Sequence, residues 1–270
     1  SLVGSEMCIR DRSKVDIRGT DIHVRRGGTG EAMLFLHGAS GVAGWLPAFE
    51  LLSEMYDLLV PDHPTYGLSD EPEWLDSMDD LAMFYLDFFE QMDLSGVHLV
   101  GNSLGGWLAM EIAVRNCSHL KSLTLVGSAG IRIAGKPIAD IFMMDPDDLV
   151  REIYVDQSIA EKIIGMELSE QQVDIQIRNR VATARLGWQP RLFNPDLRKW
   201  LHRIKVPTHV IWGDADTIID PAYAEELRRI IVGARITMLE QTGHLPHIEK
   251  PRPFVEAVSE FIENKAACAG

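Results

Sequence analysis

One serine, one histidine and one of two aspartates in this sequence have the residue types and surroundings for nucleophilic chemistry. Ser103 stands in Gly101-Asn102-Ser103-Leu104-Gly105-Gly106, behind the apolar run Val97-His98-Leu99-Val100 and ahead of an apolar stretch rich in Ala and Met. The run before it reads as a buried strand and the stretch after it as a helix, which is the context that turns G-x-S-x-G into a nucleophile elbow. The elbow needs small neighbours, because a serine on a sharp strand-to-helix turn leaves no room for a Cβ at Gly101 or Gly105. The N-terminal N–H groups of the following helix point at the reacting centre, so the Leu104 N–H is one expected oxyanion donor.

A serine hydroxyl is a weak nucleophile near neutral pH and needs an adjacent base. Of the nine histidines, His37 and His244 directly follow a strand pattern and a tight loop. His37 precedes the loop Gly38-Ala39-Ser40-Gly41 and suits a supporting role there. His244, behind Gly243, is the expected base, and His247 is its local rival. An imidazole base needs a carboxylate to fix its tautomer and stabilise its protonated form. Asp214 and Asp216 both follow the apolar stretch ending at Trp212; Asp216 lies further into the loop and is the expected acid, with Asp214 the alternative. Asp220, before Pro221, reads as a helix N-cap. His244 and His247 lack a surrounding set of acidic or thiol ligands, so no metal and no cofactor is expected.

These residues must be brought together by the elements that carry them. Residues 15–17 and 22–24 alternate around a Gly-containing turn and predict a hairpin. Arg26-Gly27-Gly28-Thr29-Gly30 is a turn without the Lys-Ser/Thr of a phosphate loop. Residues 32–36 predict a buried strand, 58–60, 120–126, 206–212 and 234–239 predict further strands, and 78–92, 221–231 and 253–262 predict helices, the first of these N-capped by Ser77. The strand at 32–36 ends at the loop whose Ala39 N–H is the second expected oxyanion donor. From 131 to about 201 strands vanish and short helical segments appear, as expected of a lid. The fold class predicted is α/β, a mostly parallel central sheet flanked by helices with a helical cap insertion. The core is expected over 13–135 and 202–266 and the cap over 136–201.

The whole-chain properties narrow the partners. A hydrophobic content of 46% in 270 residues supports a sizeable core. A formal net charge of −14 argues against nucleic acid and against anionic membrane surfaces. Cys8, Cys117 and Cys268 have neither metal-site nor disulfide-framework spacing. No apolar run reaches the ~18 residues of a spanning helix. The expected partner is a small-molecule ester or related carbonyl compound, and the expected location is the cytoplasm, with a lost signal peptide as the alternative. Met7-Cys8-Ile9-Arg10-Asp11-Arg12 resembles the translation of a transposon-end adapter used in preparing sequencing libraries, so residues 1–12 are expected to be a disordered scar outside the fold.

From about residue 15 to 262 the chain resembles the α/β-hydrolase superfamily. The resemblance rests on the joint order of His37-Gly38, Asp62 through Gly67-Leu68-Ser69-Asp70, Gly101-Asn102-Ser103-Leu104-Gly105-Gly106, Gly213-Asp214-Ala215-Asp216 and Gly243-His244. It implies a Ser103–His244–Asp216 triad and a cap over the site. Dehalogenases and epoxide hydrolases of this fold carry Asp at the position of Ser103, which disfavours those chemistries. Asn102 and the stretch ending in Gly44-Trp45 also resemble the meta-cleavage C–C bond hydrolases, which use that Asn and a cap Arg; Arg178, Arg180 and Arg185 are the candidates here. Leu245 stands where that branch usually has Trp. Asn102, Ser40 and Leu245 are the expected substrate contacts. The reading that follows is a serine hydrolase of carboxylic esters, with C–C cleavage of ring-fission products as the alternative and a non-catalytic ligand receptor as a third reading.

Overall fold

The structure, a computed structural model, describes residues 11–266, with side chains from 13 to 264. The chain opens with the hairpin β1 (Asp11–Ile17) and β2 (Thr20–Gly27), followed by β3 (Ala32–Leu36), α1 (Pro47–Ser53), β4 (Asp57–Pro61) and α2 (Met78–Gln91). Next come β5 (Val97–Asn102), α3 (Leu104–Arg115) and β6 (Leu120–Val126). Between β6 and β7 (Thr208–Gly213) lie α4 (Pro146–Ile153), α5 (Gln157–Ile164), α6 (Glu170–Gly187) and α7 (Leu197–Trp200). The chain closes with α8 (Ala222–Ile230), β8 (Arg235–Leu239), α9 (Pro246–Glu249) and α10 (Pro251–Ala266).

The eight strands form one sheet in the order β1-β2-β4-β3-β5-β6-β7-β8. The β1–β2 and β2–β4 pairs are antiparallel, and every pair from β4 onward is parallel. The period-2 alternation of the strands feeds two apolar layers. Leu34, Leu36, Val210 and Trp212 face the layer that contains α2, α3 and α8; Met33, Phe35, Val100 and Ile211 face the layer of α1 and α10. Burial of both faces explains why β3 reads as a continuous apolar run. No helix among the described residues is long and apolar enough to cross a membrane.

Register decides where the loops meet. Leu36 pairs with Gly101, Asn102 with Val126, Val126 with Ile211 and Gly213 with Leu239. The loops after β3, β5, β6, β7 and β8 therefore leave the same edge of the sheet, the carboxyl edge at which open α/β sheets build their sites.

Two details differ from the sequence reading. Asp11 and Arg12 belong to β1, paired with Arg26 and Arg25, so the fold begins inside the segment read as a scar; residues 1–10 lie outside the described residues. The helix α1 was not predicted: it has seven residues, starts at a proline and follows a Gly-rich loop, too short for a 3.6-residue period to declare itself.

The start of α3 packs closely on the ends of β3 and β5. A Cβ on Gly105 would stand 2.1 Å from the Leu36 carbonyl oxygen, and one on Gly101 would stand 2.3 Å from the Gly105 carbonyl oxygen. Both obstacles are backbone, which cannot rotate away. Gly105→Ala is expected to cost at least ~3 kcal/mol in urea unfolding. Gly135→Ala, at φ +77° with nothing within 4 Å, should cost only about 1 kcal/mol. Equal costs would show that the elbow has more slack than this geometry allows.

Candidate active site

Ser103 joins β5 to α3 at φ 53° and ψ −113°, outside the conformations an L-residue adopts freely. Its backbone is pinned on both sides. The Ser103 N–H donates to the Val126 carbonyl (2.8 Å), and its carbonyl accepts from Gly106 (3.0 Å), Trp107 (3.1 Å) and Ala129 (3.1 Å). Oγ then lies 2.9 Å from His244 Nε2. His244 Nδ1 is 2.8 Å from Asp216 Oδ2. Asp216 Oδ1 accepts from the N–H groups of Ile218 and Ile219, both at 2.9 Å. With the carboxylate able only to accept, Nδ1–H donates to Asp216, and Nε2 is left to accept the Ser103 hydroxyl proton. All three groups are placed by loops from one edge of the sheet.

The rivals are placed elsewhere. Asp214 is exposed and reaches no closer than 3.4 Å to the Thr242 N–H. His247 is buried among Phe35, Phe49 and Phe254, where burial first, and the neighbouring His244 second, lower its pKa to about 3. His37 donates from Nδ1 to the Gly38 carbonyl (2.8 Å) and accepts the His63 N–H at Nε2 (3.1 Å). Burial lowers its pKa to about 4, so it is a neutral brace for the loop. Asp220 stands one residue before the N-cap of α8, which is Pro221; it accepts the Ala222 N–H at 2.8 Å and pairs with Lys136.

The segments that carry the two expected oxyanion donors adjoin the nucleophile. Leu104 is the first residue of α3, so its N–H has no partner one turn back. The loop carrying Ala39 runs beside Ser103: a Cβ on Gly38 would stand 3.3 Å from the Ser103 Cβ. Of the expected substrate contacts, Ser40 is exposed and Leu245 half-buried. Asn102 is different. It is 2% exposed and its amide donates to the Val126 carbonyl (3.2 Å), so its geometry ties it to β6 instead of offering it to a substrate.

The three arginines considered for a charged substrate are all engaged by the protein. Arg178 donates to the carbonyls of Gly67 (3.1 Å) and Ser69 (2.6 Å), Arg180 to that of Phe142 (3.1 Å), and Arg185 pairs with Glu71 (2.7 Å). Sequence reasoning missed their neighbours Asn179 and Thr183 on the buried face of α6, and Ile153 at the end of α4, whose carbonyl accepts the His244 N–H (2.8 Å). The one signal for the first two was a pair of polar residues at i and i+4 beside the apolar Ala182 and Leu186.

Asp62 anchors the loop after β4. Burial opposes its charge, but hydrogen bonds from His23 (3.0 Å) and Arg25 (2.8 Å) outweigh that and hold its carboxyl well below the usual range. Its Oδ2 also accepts the Leu68 N–H (3.1 Å), which bends residues 62–69 back over the sheet edge.

A sheet of this order carrying a serine elbow, a histidine and an aspartate at its carboxyl edge defines an α/β-hydrolase architecture. The family model described as the Alpha/beta hydrolase family matches residues 33–257, and the chain belongs to that family. Lipase 1 of Psychrobacter immobilis is 27% identical over 257 residues, covering 88% of this chain and 76% of that protein. The crystal structure of a membrane phospholipase A described as a bacterial virulence factor superposes with a TM-score of 0.79 at 24% identity, covering 94% of this chain and 86% of that one. A meta-cleavage product hydrolase from Pseudomonas fluorescens IP01 superposes with a TM-score of 0.74 at 21% identity, covering 94% and 98%. At these identities the two structures establish the fold alone.

Two measurements follow from this geometry. Asp216→Asn should lower kcat by on the order of 10⁴-fold by leaving His244 in the wrong tautomer, while Asp214→Asn should change it far less; the reverse order would move the acid to Asp214. The buried histidines also set an acid limit on stability. His37 and His247 have folded pKa values of about 4 and about 3 against 6.5 when exposed, so the unfolded chain binds protons that the folded one refuses. Stability is full above pH 6.5 and falls as pH drops toward 4, by roughly 3 kcal/mol for each histidine at pH 4. Urea midpoints from pH 7 to 4 should show this decline, and His247→Leu should make it shallower. An unchanged slope in that variant would remove His247 from the account.

Proposed function

We propose that this chain is a cofactor-independent serine hydrolase that cleaves carboxylic esters of small, largely apolar substrates through an acyl-enzyme. The observation that carries the proposal is the continuous line from Ser103 Oγ through His244 to Asp216, at 2.9 and 2.8 Å. In the reaction, His244 Nε2 takes the Ser103 proton as Oγ attacks the ester carbonyl. The tetrahedral oxyanion is held by the N–H groups of Leu104 and Ala39. His244 then protonates the departing alcohol, and water attacks the acyl-enzyme by the same route in reverse. Asp216 stays ionised, orients the imidazole and stabilises its protonated form. Residues 136–201 act as a cap over this site, and the similarity to Lipase 1 supports an ester substrate.

Cleavage of a ring-fission product shares the triad and differs before the bond breaks. That reaction must bind a charged dienolate and move a proton onto carbon. Arg178, Arg180 and Arg185 are committed to protein acceptors, and Asn102 to Val126, which favours the neutral ester. A receptor function would leave the triad without turnover.

The test is a panel of p-nitrophenyl esters beside a ring-fission dienoate. The ester kcat/KM should exceed the dienoate value by at least about tenfold, a gap of ~1.4 kcal/mol. Ser103→Ala should lower kcat on the ester by on the order of 10⁶-fold without loss of the fold. Efficient dienoate cleavage, abolished in Arg178→Ala, would establish the C–C reaction instead, and a wild type inert to both would favour the receptor.

A further inference from the structure

The oxyanion loop is fastened to the cap by side chains of α6. Thr183 Oγ1 lies 2.9 Å from the Ala39 carbonyl oxygen, and Asn179 Nδ2 lies 2.8 Å from that of Ser40. The Tyr66 hydroxyl lies 2.9 Å from Thr183 Oγ1; because the threonine has two carbonyls in reach of its one proton, the tyrosine is assigned as the donor of this pair, which leaves the threonine proton free to donate. That proton is shared between Ala39 and the Asn179 carbonyl one turn back, at 2.8 Å. Asn179 Oδ1 in turn accepts the Gly67 N–H at 2.9 Å. Thr183 and Asn179 are 2% and 4% exposed. Buried polar side chains cost free energy unless they are paired, so at these positions of a packed helix face an apolar residue would be the default filling. Here the face recognises backbone.

What this does to the loop follows from peptide geometry. The Ala39 N–H belongs to the same peptide plane as the Gly38 carbonyl, which accepts from His37 Nδ1 (2.8 Å) and the Gly41 N–H (3.1 Å). A flip of that one plane would break those two bonds; the other way to carry the N–H away from Ser103 is to shift the loop as a whole, and such a shift moves the next two carbonyls with it. Those are the carbonyls held by Thr183 and Asn179. We infer that Thr183 and Asn179 are positioning residues which, through the Ala39 and Ser40 carbonyls, keep the Ala39 N–H aimed at the Ser103 site, so that the oxyanion hole is complete only while the cap is docked. The inference rests on the ester-hydrolase reading above. It makes the cap part of the transition-state machinery as well as a wall of the substrate pocket.

Loss of a whole oxyanion donor costs about 10²–10³ in kcat; loosening one should cost less. Thr183→Val, which keeps the shape and removes the hydroxyl, is expected to lower kcat on p-nitrophenyl butyrate about 10- to 100-fold with KM within about threefold. Rates are taken per active site counted by a burst titration, so that misfolded protein does not contribute. Affinity for a trifluoromethyl ketone, which mimics the tetrahedral oxyanion, should fall by the same factor as kcat/KM. Thr183→Ser should recover to within about threefold of the wild type, and the acid limb of the pH profile should not move. Asn179→Asp keeps the acceptor for Gly67 and removes the donor to Ser40; it is expected to lose about tenfold and serves if Thr183→Val does not fold. Wild-type kcat per site in both variants, or a loss of kcat without loss of ketone affinity, would overturn the inference while leaving the hydrolase reading intact. A wild type that does not turn over the ester, or turns it over equally as Ser103→Ala, would overturn both.

Discussion

The backbone conformation of Ser103 is the constraint on which the rest of this structure depends. A residue at φ 53° and ψ −113° carries strain on the order of 1–3 kcal/mol and persists only where its surroundings over-determine it. Here the surroundings are four backbone hydrogen bonds to β6, to α3 and to the loop after β6. Those bonds exist because β5 and α3 approach through Gly101 and Gly105 to distances that a Cβ would forbid. The approach in turn relies on central parallel strands buried by helices on both faces. Fold and chemistry are thus one problem at this residue: the packing that stabilises the domain is also what points Oγ at an imidazole.

The surroundings of the site are governed by proton economy. Among the histidines near the carboxyl edge, His37, His63 and His247 are held neutral by burial. His63 Nδ1 accepts from the Tyr85 hydroxyl at 2.6 Å, and its ring lies 3.8 Å from that of His37. They act as fixed hydrogen-bonding blocks. The buried Asp62 carboxylate, which anchors the loop after β4, is paired with Arg25 at 2.8 Å. His244 differs from these three histidines in facing a carboxylate, with Asp216 Oδ2 2.8 Å from its Nδ1.

Much of this was legible in the chain itself. Residues 32–36 announced themselves as a strand because both faces are buried, leaving an unbroken apolar run. The elbow was legible because its glycines are sterically obligatory. Asp216 was separable from Asp214 because two further residues of loop are what it takes to reach the neighbouring strand's histidine. What could not be read depends on the relative placement of remote segments. Asn179 finds Ser40 across 139 residues and Gly67 across 112, and no local periodicity encodes which carbonyl a helix face will meet. The same ignorance made Arg178 look available for a ligand, whereas it closes the turn at Gly67 and Ser69. Asn102 looked like a substrate contact because spacing alone gives no sign of the Val126 carbonyl beside it.

The Ile153 carbonyl that receives the His244 N–H has a consequence for the order in which the molecule is made. The oxyanion loop leaves the ribosome first, then the serine, then the cap, and the base comes last, 141 residues after the nucleophile. A nascent chain therefore passes through a long interval in which every hydrolytic component except the proton acceptor has been synthesised. During that interval the Ile153 carbonyl at the end of α4 awaits a segment not yet translated, and the docking of β8 completes the sheet. On the serine-hydrolase reading, vectorial synthesis thus couples the onset of activity to the completion of folding.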